Sequence, residues 1–345
     1  MANRIDTWES VEGSVLTTMG VGGLVRVSRP ASAEELENDI KTAGEQGIPY
    51  RILGAGSDVL LPDEGFGGLL IIPANKTLEV LPDAHFSEAP LPTQNERYRR
   101  EEGKGYLELE KIHLPEGEAV WVRVGAGVPW GQLVMWTLQQ NLVGLQWFAR
   151  IPCAAGGAVF NNIHGEKHFF SEVVQQVTSY SPRDGWVTRL PSALGFAYDY
   201  SVFHDHPEEA IWDIVIKLQR VSLEEAGKAK DLYITWTKAK TIAQPSGANS
   251  GSVFQNVSAF DEVVKETGMV AAGWYVEHAG CRGWEEGGLQ VYPSHGNFII
   301  NKGMGTQKDF IRLVERVRNR VHEVYGIWLA PEVICFDAEG KNHQW

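Results

Sequence analysis

The apolar positions of the amino-terminal third fall first on a strand pattern and then on a helical one. Leu24 to Arg29 reads as a strand; after it Leu36, Ile40 and Ala43 recur at helical spacing, with Ser32 and Glu35 in capping-box register ahead of them. PYRIL (Pro49 to Leu53) and Leu69 to Ile72 predict two further strands on either side of the turn GAGSD. This is the pattern of a small α/β unit. VWVRV (Val120 to Val124) predicts a strand that runs into GAGVPWGQL, a second glycine turn feeding a helix that begins near Pro129. Strands are expected again at Val174 to Tyr180 and Ile211 to Leu218. SLEEAGKAKD reads as a polar crossover, with a separate unit after it. Near the end Thr306 and Asp309 frame a helix start, Phe310, Leu313, Val314, Val317, Val321 and Val324 form its buried face, and Gly326 closes it.

Two stretches carry unusual polarity. From about Leu81 to Gly105 the chain is rich in Pro, Glu, Arg and Lys and ends in RYRREEGKG, a surface excursion between strands whose charges are solvated. GFAYDYSVF (Gly195 to Phe203) alternates large aromatic residues with small or polar ones, which predicts an extended chain with two unlike faces and leaves Asp199 between two tyrosines.

Composition narrows the function classes. The 345 residues are 43% hydrophobic and 22% charged, enough for two or three packed units. A formal charge of −13, from 44 acidic and 31 basic residues, argues against a nucleic-acid backbone or an anionic membrane as the main partner and favours a small molecule. Cys153, Cys281 and Cys335 are odd in number and widely spaced, so neither a disulfide framework nor a cysteine metal site is indicated, and a reducing cytoplasm is expected. MANRIDTWES lacks a basic region followed by an apolar stretch, so no targeting leader is expected, and no apolar run is long enough for a membrane span.

The chemistry lies in the glycine segments. Gly54 to Gly56 and Gly125 to Gly127 each follow a strand, where glycine admits positive φ and exposes successive N–H groups of the kind that bind phosphate oxygens. Neither is a full GxGxxG or P-loop. With the glycine-rich segment at 152 to 158 they make three loops able to converge on one long phosphorylated cofactor, a dinucleotide.

RILGAGSDVLLPDEGFGGLLI resembles the flavin-loop signature of the UDP-N-acetylenolpyruvoylglucosamine reductases, and GLQWFARIPCAAGGAVFNN resembles their second FAD-contacting loop. QPSGANSGSVFQNV, AAGWYVEHAGCRGWEEGGLQV, GNFIINKG and GIWLAPEV follow in the same order as in that family, so the similarity covers nearly the whole chain. The short run between Leu218 and Gly251 is similar to the shorter of the family's two subtypes. The resemblance implies a mixed α/β (α+β) fold with a vanillyl-alcohol-oxidase/PCMH-type FAD-binding region and a third α/β domain for substrate. It implies FAD-binding subdomains at 1–77 and 78–222, a substrate domain at 223–326, and a return to the first subdomain at 327–345. It implies FAD with NADPH as hydride donor, reduction of an enolpyruvyl sugar nucleotide to UDP-N-acetylmuramate for peptidoglycan, and a cytoplasmic monomer with no nucleic-acid, membrane or metal partner.

Residue by residue, the resemblance assigns FAD contacts to Gly54, Ala55, Gly56, Ser57, Asp58, Gly125, Ala126, Gly127, Ile151, Pro152, Gly156 and Gly157. Substrate contacts fall on Tyr198, Asn256, His295 and Lys240. Ser252 takes the proton-donor position, and Glu332 the position that handles charge near the substrate carboxylate. Three positions depart. The family's carboxylate-binding arginine is replaced by Asp199, a change of two charge units where bidentate hydrogen bonds are expected. Ala243 stands where a basic residue would hold the nucleotide diphosphate, with Lys240 the nearest upstream cation and Arg150 and Arg183 as other candidates. Asp58 replaces asparagine in the flavin loop, where it can accept ribose or backbone hydrogen bonds but would repel phosphate. His164 and His168 have i, i+4 spacing but lack a third ligand and read as exposed loop histidines, and Cys153 reads as a small buried packing residue. The missing cations leave two alternatives beside the family reaction: a related FAD oxidoreductase acting on a less anionic substrate, and a flavin-binding protein without turnover.

Overall fold

The computed structural model describes residues 7–82, 117–165, 168–258 and 261–345. Most of the expected surface excursion at 81–105 lies outside the described residues.

β1 (Glu9–Glu12), β2 (Leu24–Ser28), α1 (Ala33–Glu45), β3 (Tyr50–Ile52), β4 (Val59–Leu60) and β5 (Phe66–Ile71) open the chain, and a sheet forms in the order β1-β2-β5-β3. β5 pairs in parallel with both β2 and β3, so the chain needs a crossover, which α1 provides. Ser32 caps α1 by accepting from the Glu35 N–H at 3.2 Å, while the Glu35 carboxylate reaches back to the Ala31 N–H at 2.8 Å. Leu36, Ile40 and Ala43 are buried between Leu69 and Ile71 of this sheet and Tyr180, Ala210 and Trp212 of the next, so α1 is clamped between two sheets. β5 begins three residues before the expected Leu69. Gly68 permits this: a Cβ there would stand 2.1 Å from the Pro49 carbonyl oxygen.

β6 (Leu78–Leu81), β7 (Glu118–Gly125), α2 (Trp130–Gln139), β8 (Leu142–Val143), α3 (Ala155–Phe160), β9 (His164–Gly165), β10 (His168–Phe169), β11 (Val174–Ser181), β12 (Gly185–Arg189) and β13 (Ala210–Arg220) build the second layer. Its antiparallel sheet runs β12-β11-β13-β7-β6, with β8 on β13. α4 (Leu223–Ala243) then packs Ala229 and Tyr233 against the same core. The polar crossover read from SLEEAGKAKD is therefore the first half of a 21-residue helix. Its only fully buried side chains are Ala226 and Ala229, too small to mark an apolar stripe, whereas Ala, Glu and Lys are strong helix formers. Ser222 caps it, and Pro245 holds Gln244 extended beyond its end.

β14 (Ala248–Ser252), α5 (Glu262–Thr267), α6 (Ala272–His278), β15 (Glu285–Glu286), β16 (Leu289–Val291), β17 (Phe298–Asn301) and α7 (Gln307–Tyr325) form a third layer, with sheet order β14-β17-β16-β15. The capping box of Thr306 and Asp309 and the left-handed Gly326 (φ 72°) delimit α7 as expected. Val324 departs from the expected buried face and is 43% exposed. The stripe drifts at the end of the helix, and Tyr325 instead meets the Tyr275 ring at 5.2 Å. Finally β18 (Ile334–Cys335) pairs in parallel with β4, returning the carboxy terminus to the first layer. Among the described residues no helix is long and apolar enough to cross a membrane.

Candidate active site

Three loops meet where the layers join. After β3, Gly56 takes φ 66°, and a Cβ there would lie 2.0 Å from the Leu16 carbonyl oxygen. The second turn docks on the 73–75 segment, with the Gly127 N–H donating to the Asn75 carbonyl at 2.9 Å. The 153–157 segment docks on that turn in its own right, the Gly156 N–H donating to the Ala126 carbonyl at 2.9 Å. The three segments line a cavity of about 400 Å³ together with the cations Arg29, Arg51 and Lys76. Across it, a Cβ on Gly54 would stand 3.8 Å from the Gly157 Cα, so the paired glycines keep a slot open. Among the described residues no protein acceptor meets the backbone N–H groups of Ala55, Gly56 and Ser57. An open slot with unpaired N–H groups and three cations fits a long cofactor carrying a diphosphate.

Of the residues expected to hold that cofactor, Gly54 to Asp58, Ala126, Gly127, Gly156 and Gly157 line this cavity. Gly125 supports it by donating its N–H to Thr77 at 2.8 Å, and Ile151 and Pro152 line the neighbouring space. Cys153 is buried with its thiol pushed up by burial first and the Asp58 charge second. The three cations escaped the sequence reading because lone basic residues on strands and loops have no spacing that sets them apart.

The neighbouring cavity is larger, about 900 Å³, and Asp58 lines both. Ser252 and Glu332 reach it by one backbone arrangement. The Glu332 N–H donates to the Val253 carbonyl at 3.0 Å, the Gln255 N–H to Ala330 at 2.9 Å, and the Ile334 N–H to Asp58 at 2.8 Å. The PEV segment is thus laid between the serine motif and the flavin-loop aspartate.

The corner they form is acidic. Burial, and next the Asp199 charge, lift the Asp58 carboxyl to about 6, while hydrogen bonds from Ser57 and Asn161 oppose the rise. The Asn161 amide donates to Asp58 Oδ2 at 3.0 Å. Glu332 is raised well above the usual carboxylate range, by burial first and then by Asp199 and Asp58, and it lies within hydrogen-bonding reach of Asp199. Asp199 faces His164, with Oδ1 3.3 Å from Nδ1. Among the described residues its buried Oδ2 has no hydrogen-bond partner.

The extended chain expected over Gly195 to Phe203 is instead a tight reversal. Ala197 and Tyr200 exchange backbone hydrogen bonds at 3.0 and 3.3 Å, and Asp199 takes φ 50°. Aspartate tolerates the left-handed region better than most residues. The alternation of aromatic and small residues could not distinguish this turn from a strand.

Other expectations are corrected. His164 and His168 sit on paired short strands, not an exposed loop. Register pairs His164 with Phe169 and His168 with Gly165, so the two histidines point to opposite faces. His168 is buried between Glu172, 3.4 Å away, and the Trp147 ring. Among the described residues no three candidate ligands lie together as a metal site. Tyr198 and Lys240 line the larger cavity, and Lys240 donates to the Ala149 carbonyl at 2.9 Å. Arg150 lines it as well, at φ 56°, whereas Arg183 is exposed beside Asp184, outside the cavity wall. Asn256 and His295 are also outside that wall. Asn256 accepts from the Ala272 N–H at 3.2 Å at the start of α6, and His295 accepts from the Asn297 N–H at 3.3 Å beside the Phe298 ring. Each side chain gives one acceptor to a nearby backbone N–H.

A model of the C-terminal domain of UDP-N-acetylenolpyruvoylglucosamine reductases matches residues 243–336, and an FAD binding domain model matches residues 106–190. The chain is 30% identical over 310 residues to the UDP-N-acetylenolpyruvoylglucosamine reductase of Rubrobacter xylanophilus, covering 88% of this chain and 86% of that protein. With the enzyme of the same name from Gloeobacter violaceus it shares 27% over 325 residues, 93% of each chain. The crystal structure of UDP-N-acetylenolpyruvylglucosamine reductase (MurB) from Thermus caldophilus superposes with a TM-score of 0.68 at 26% identity, over 96% of this chain and 99% of that one.

Proposed function

Since the chain belongs to the UDP-N-acetylenolpyruvoylglucosamine reductase family, we propose that it reduces the enolpyruvyl group of that nucleotide to give UDP-N-acetylmuramate, a peptidoglycan precursor, with NADPH as hydride donor. The observation that carries this reading is the position of Asp58, shared by the dinucleotide slot and the larger cavity, with Ser252 and Glu332 on the larger side. The chemistry supplied by bound FAD is hydride transfer, from NADPH and then to the enolpyruvyl double bond. The three glycine segments would hold the cofactor, with Arg29, Arg51 and Lys76 near its diphosphate.

On this reading the Ser252 hydroxyl delivers the proton to the substrate α-carbon, and Glu332, kept protonated by its buried acidic surroundings, donates a hydrogen bond where charge accumulates on the carboxylate. Arg150 and Lys240, on the same cavity wall as Gln244, take the diphosphate in place of the basic residue missing at Ala243. The 1–77, 78–222 and 327–345 divisions then serve as two cofactor subdomains and a returning tail, and because α4 packs on the core of the second subdomain the substrate domain expected at 223–326 begins after that helix. The protein works as a cytoplasmic monomer of the shorter subtype.

The acidic corner favours a second reading, a related flavin oxidoreductase whose substrate carries less negative charge. Ser252→Ala bears on the assignment of roles. It is expected to leave bleaching of the flavin by NADPH intact and to slow recolouring by the enolpyruvyl nucleotide by about 10²- to 10⁴-fold. Recolouring at the wild-type rate would remove Ser252 from the proton step.

A further inference from the structure

Resting on this reductase reading, we propose that His164 is the cation that meets the substrate carboxylate, with Asp199 as the residue that positions it. The His164 side chain lines the larger cavity and is 36% accessible, with Nδ1 3.3 Å from Asp199 Oδ1. A carboxylate on Nδ1 fixes the orientation of the ring, and in the imidazolium form proposed for it, Nε2 carries a second N–H to donate. The Tyr198 ring lies 4.8 Å from the imidazole and the Phe169 ring 5.8 Å, so the ring is held on more than one side.

The backbone is built around this pair. Gly165, next to His164, lies so close to the backbone of Trp147 that a Cβ would stand 2.4 Å from its carbonyl oxygen. Asn162, fully buried, ties the two segments together. Its amide donates to the Ala197 carbonyl at 2.9 Å, at the turn that carries Asp199, and its oxygen accepts from the Ser171 N–H at 3.0 Å, beyond β10. One amide therefore sets the imidazole and the carboxylate relative to each other.

The acidic surroundings favour such a cation. A substrate carboxylate entering the corner beside Asp58 and Asp199 meets acidic groups, and Arg150 and Lys240, beside Gln244 on the cavity wall, are assigned to the diphosphate. A protonated His164 between Asp199 and the arriving carboxylate places one positive charge between two negative ones.

The test uses the flavin-loaded protein and two probes that differ only in the enolpyruvyl group, UDP-N-acetylenolpyruvoylglucosamine and UDP-N-acetylglucosamine, measured by titration calorimetry. His164→Gln is expected to weaken the enolpyruvyl ligand by about 10- to 100-fold, while UDP-N-acetylglucosamine binds as before, which also shows that the variant is folded. Equal weakening of both ligands, or of neither, overturns the proposal. Asp199→Ala is expected to lose the same discrimination and Asp199→Asn, which keeps an acceptor for Nδ1, to recover most of it; equal losses in the two remove Asp199 as the positioning group. Wild-type protein that binds UDP-N-acetylglucosamine but not the enolpyruvyl nucleotide overturns the reductase reading, and His164 with it. Wild-type turnover with an indifferent His164→Gln overturns His164 alone.

Discussion

Asp58→Asn converts the acidic corner into a measurable stability difference. The wild-type carboxyl is buried beside Asp199 and titrates at about 6 instead of its ordinary 3.8, and a displacement of that size corresponds to about 3 kcal/mol. Because the side chain also faces a cavity, about 2–3 kcal/mol is the range to look for. A folded carboxyl that holds its proton more tightly than the unfolded chain loses stability as pH rises from about 4 to about 6, and stays at the lower value above that window. Asparagine cannot ionise, yet its oxygen can still accept the Asn161 amide that now reaches Oδ2 at 3.0 Å. Removing the charge also eases the Glu332 carboxyl, which acts in the same direction. Urea unfolding of the flavin-free proteins from pH 4 to pH 8 should therefore show Asp58→Asn more stable than wild type at pH 7.5 by that amount, with the two converging near pH 4. A difference that stays constant across the range would refute the reasoning, since it would mean that Asp58 ionises in the folded protein as it does in water.

Gly56→Ala combines a left-handed backbone with a Cβ 2.0 Å from the Leu16 carbonyl oxygen, so the loop must move. It is expected to abolish the visible flavin spectrum after purification and to lower stability by about 1–3 kcal/mol, read by absorbance and thermal melting. In α7, Leu313→Ala should cost about 2–5 kcal/mol, whereas Val324→Ala, at a position 43% exposed, should fall within about 0.5 kcal/mol of wild type in the same denaturation assay.

Where the sequence carried a strong local signal, the fold could be read from it. α7 declares itself by a capping box, a long apolar stripe and a left-handed glycine. The GAG turns mark strand ends because close backbone approach excludes any larger residue at Gly56 and Gly127. α4 stayed hidden because its contacts with the core are made by alanines. The Asp199 turn stayed hidden because a left-handed aspartate leaves no trace in a pattern of alternating side chains. The site was legible wherever a motif bound residues to a backbone geometry, as at Ser252 and Glu332, and illegible where partners come from distant segments. Nothing in the spacing of His164 and Asp199 announces their 3.3 Å approach; it depends on the β9–β10 register and on Asn162. Nothing local to Asn256 or His295 shows that each accepts from a backbone N–H, of Ala272 and Asn297 respectively.

On the reductase reading this acidic site still reduces an enolpyruvyl nucleotide. The most direct measurement is an anaerobic one: the flavin-loaded protein is bleached with one equivalent of NADPH and then mixed with UDP-N-acetylenolpyruvoylglucosamine in a stopped-flow spectrophotometer. The oxidised flavin spectrum is expected to return with one UDP-N-acetylmuramate formed per flavin. Reduced flavin that stays bleached with this nucleotide, yet is reoxidised by a less anionic acceptor, would contradict it.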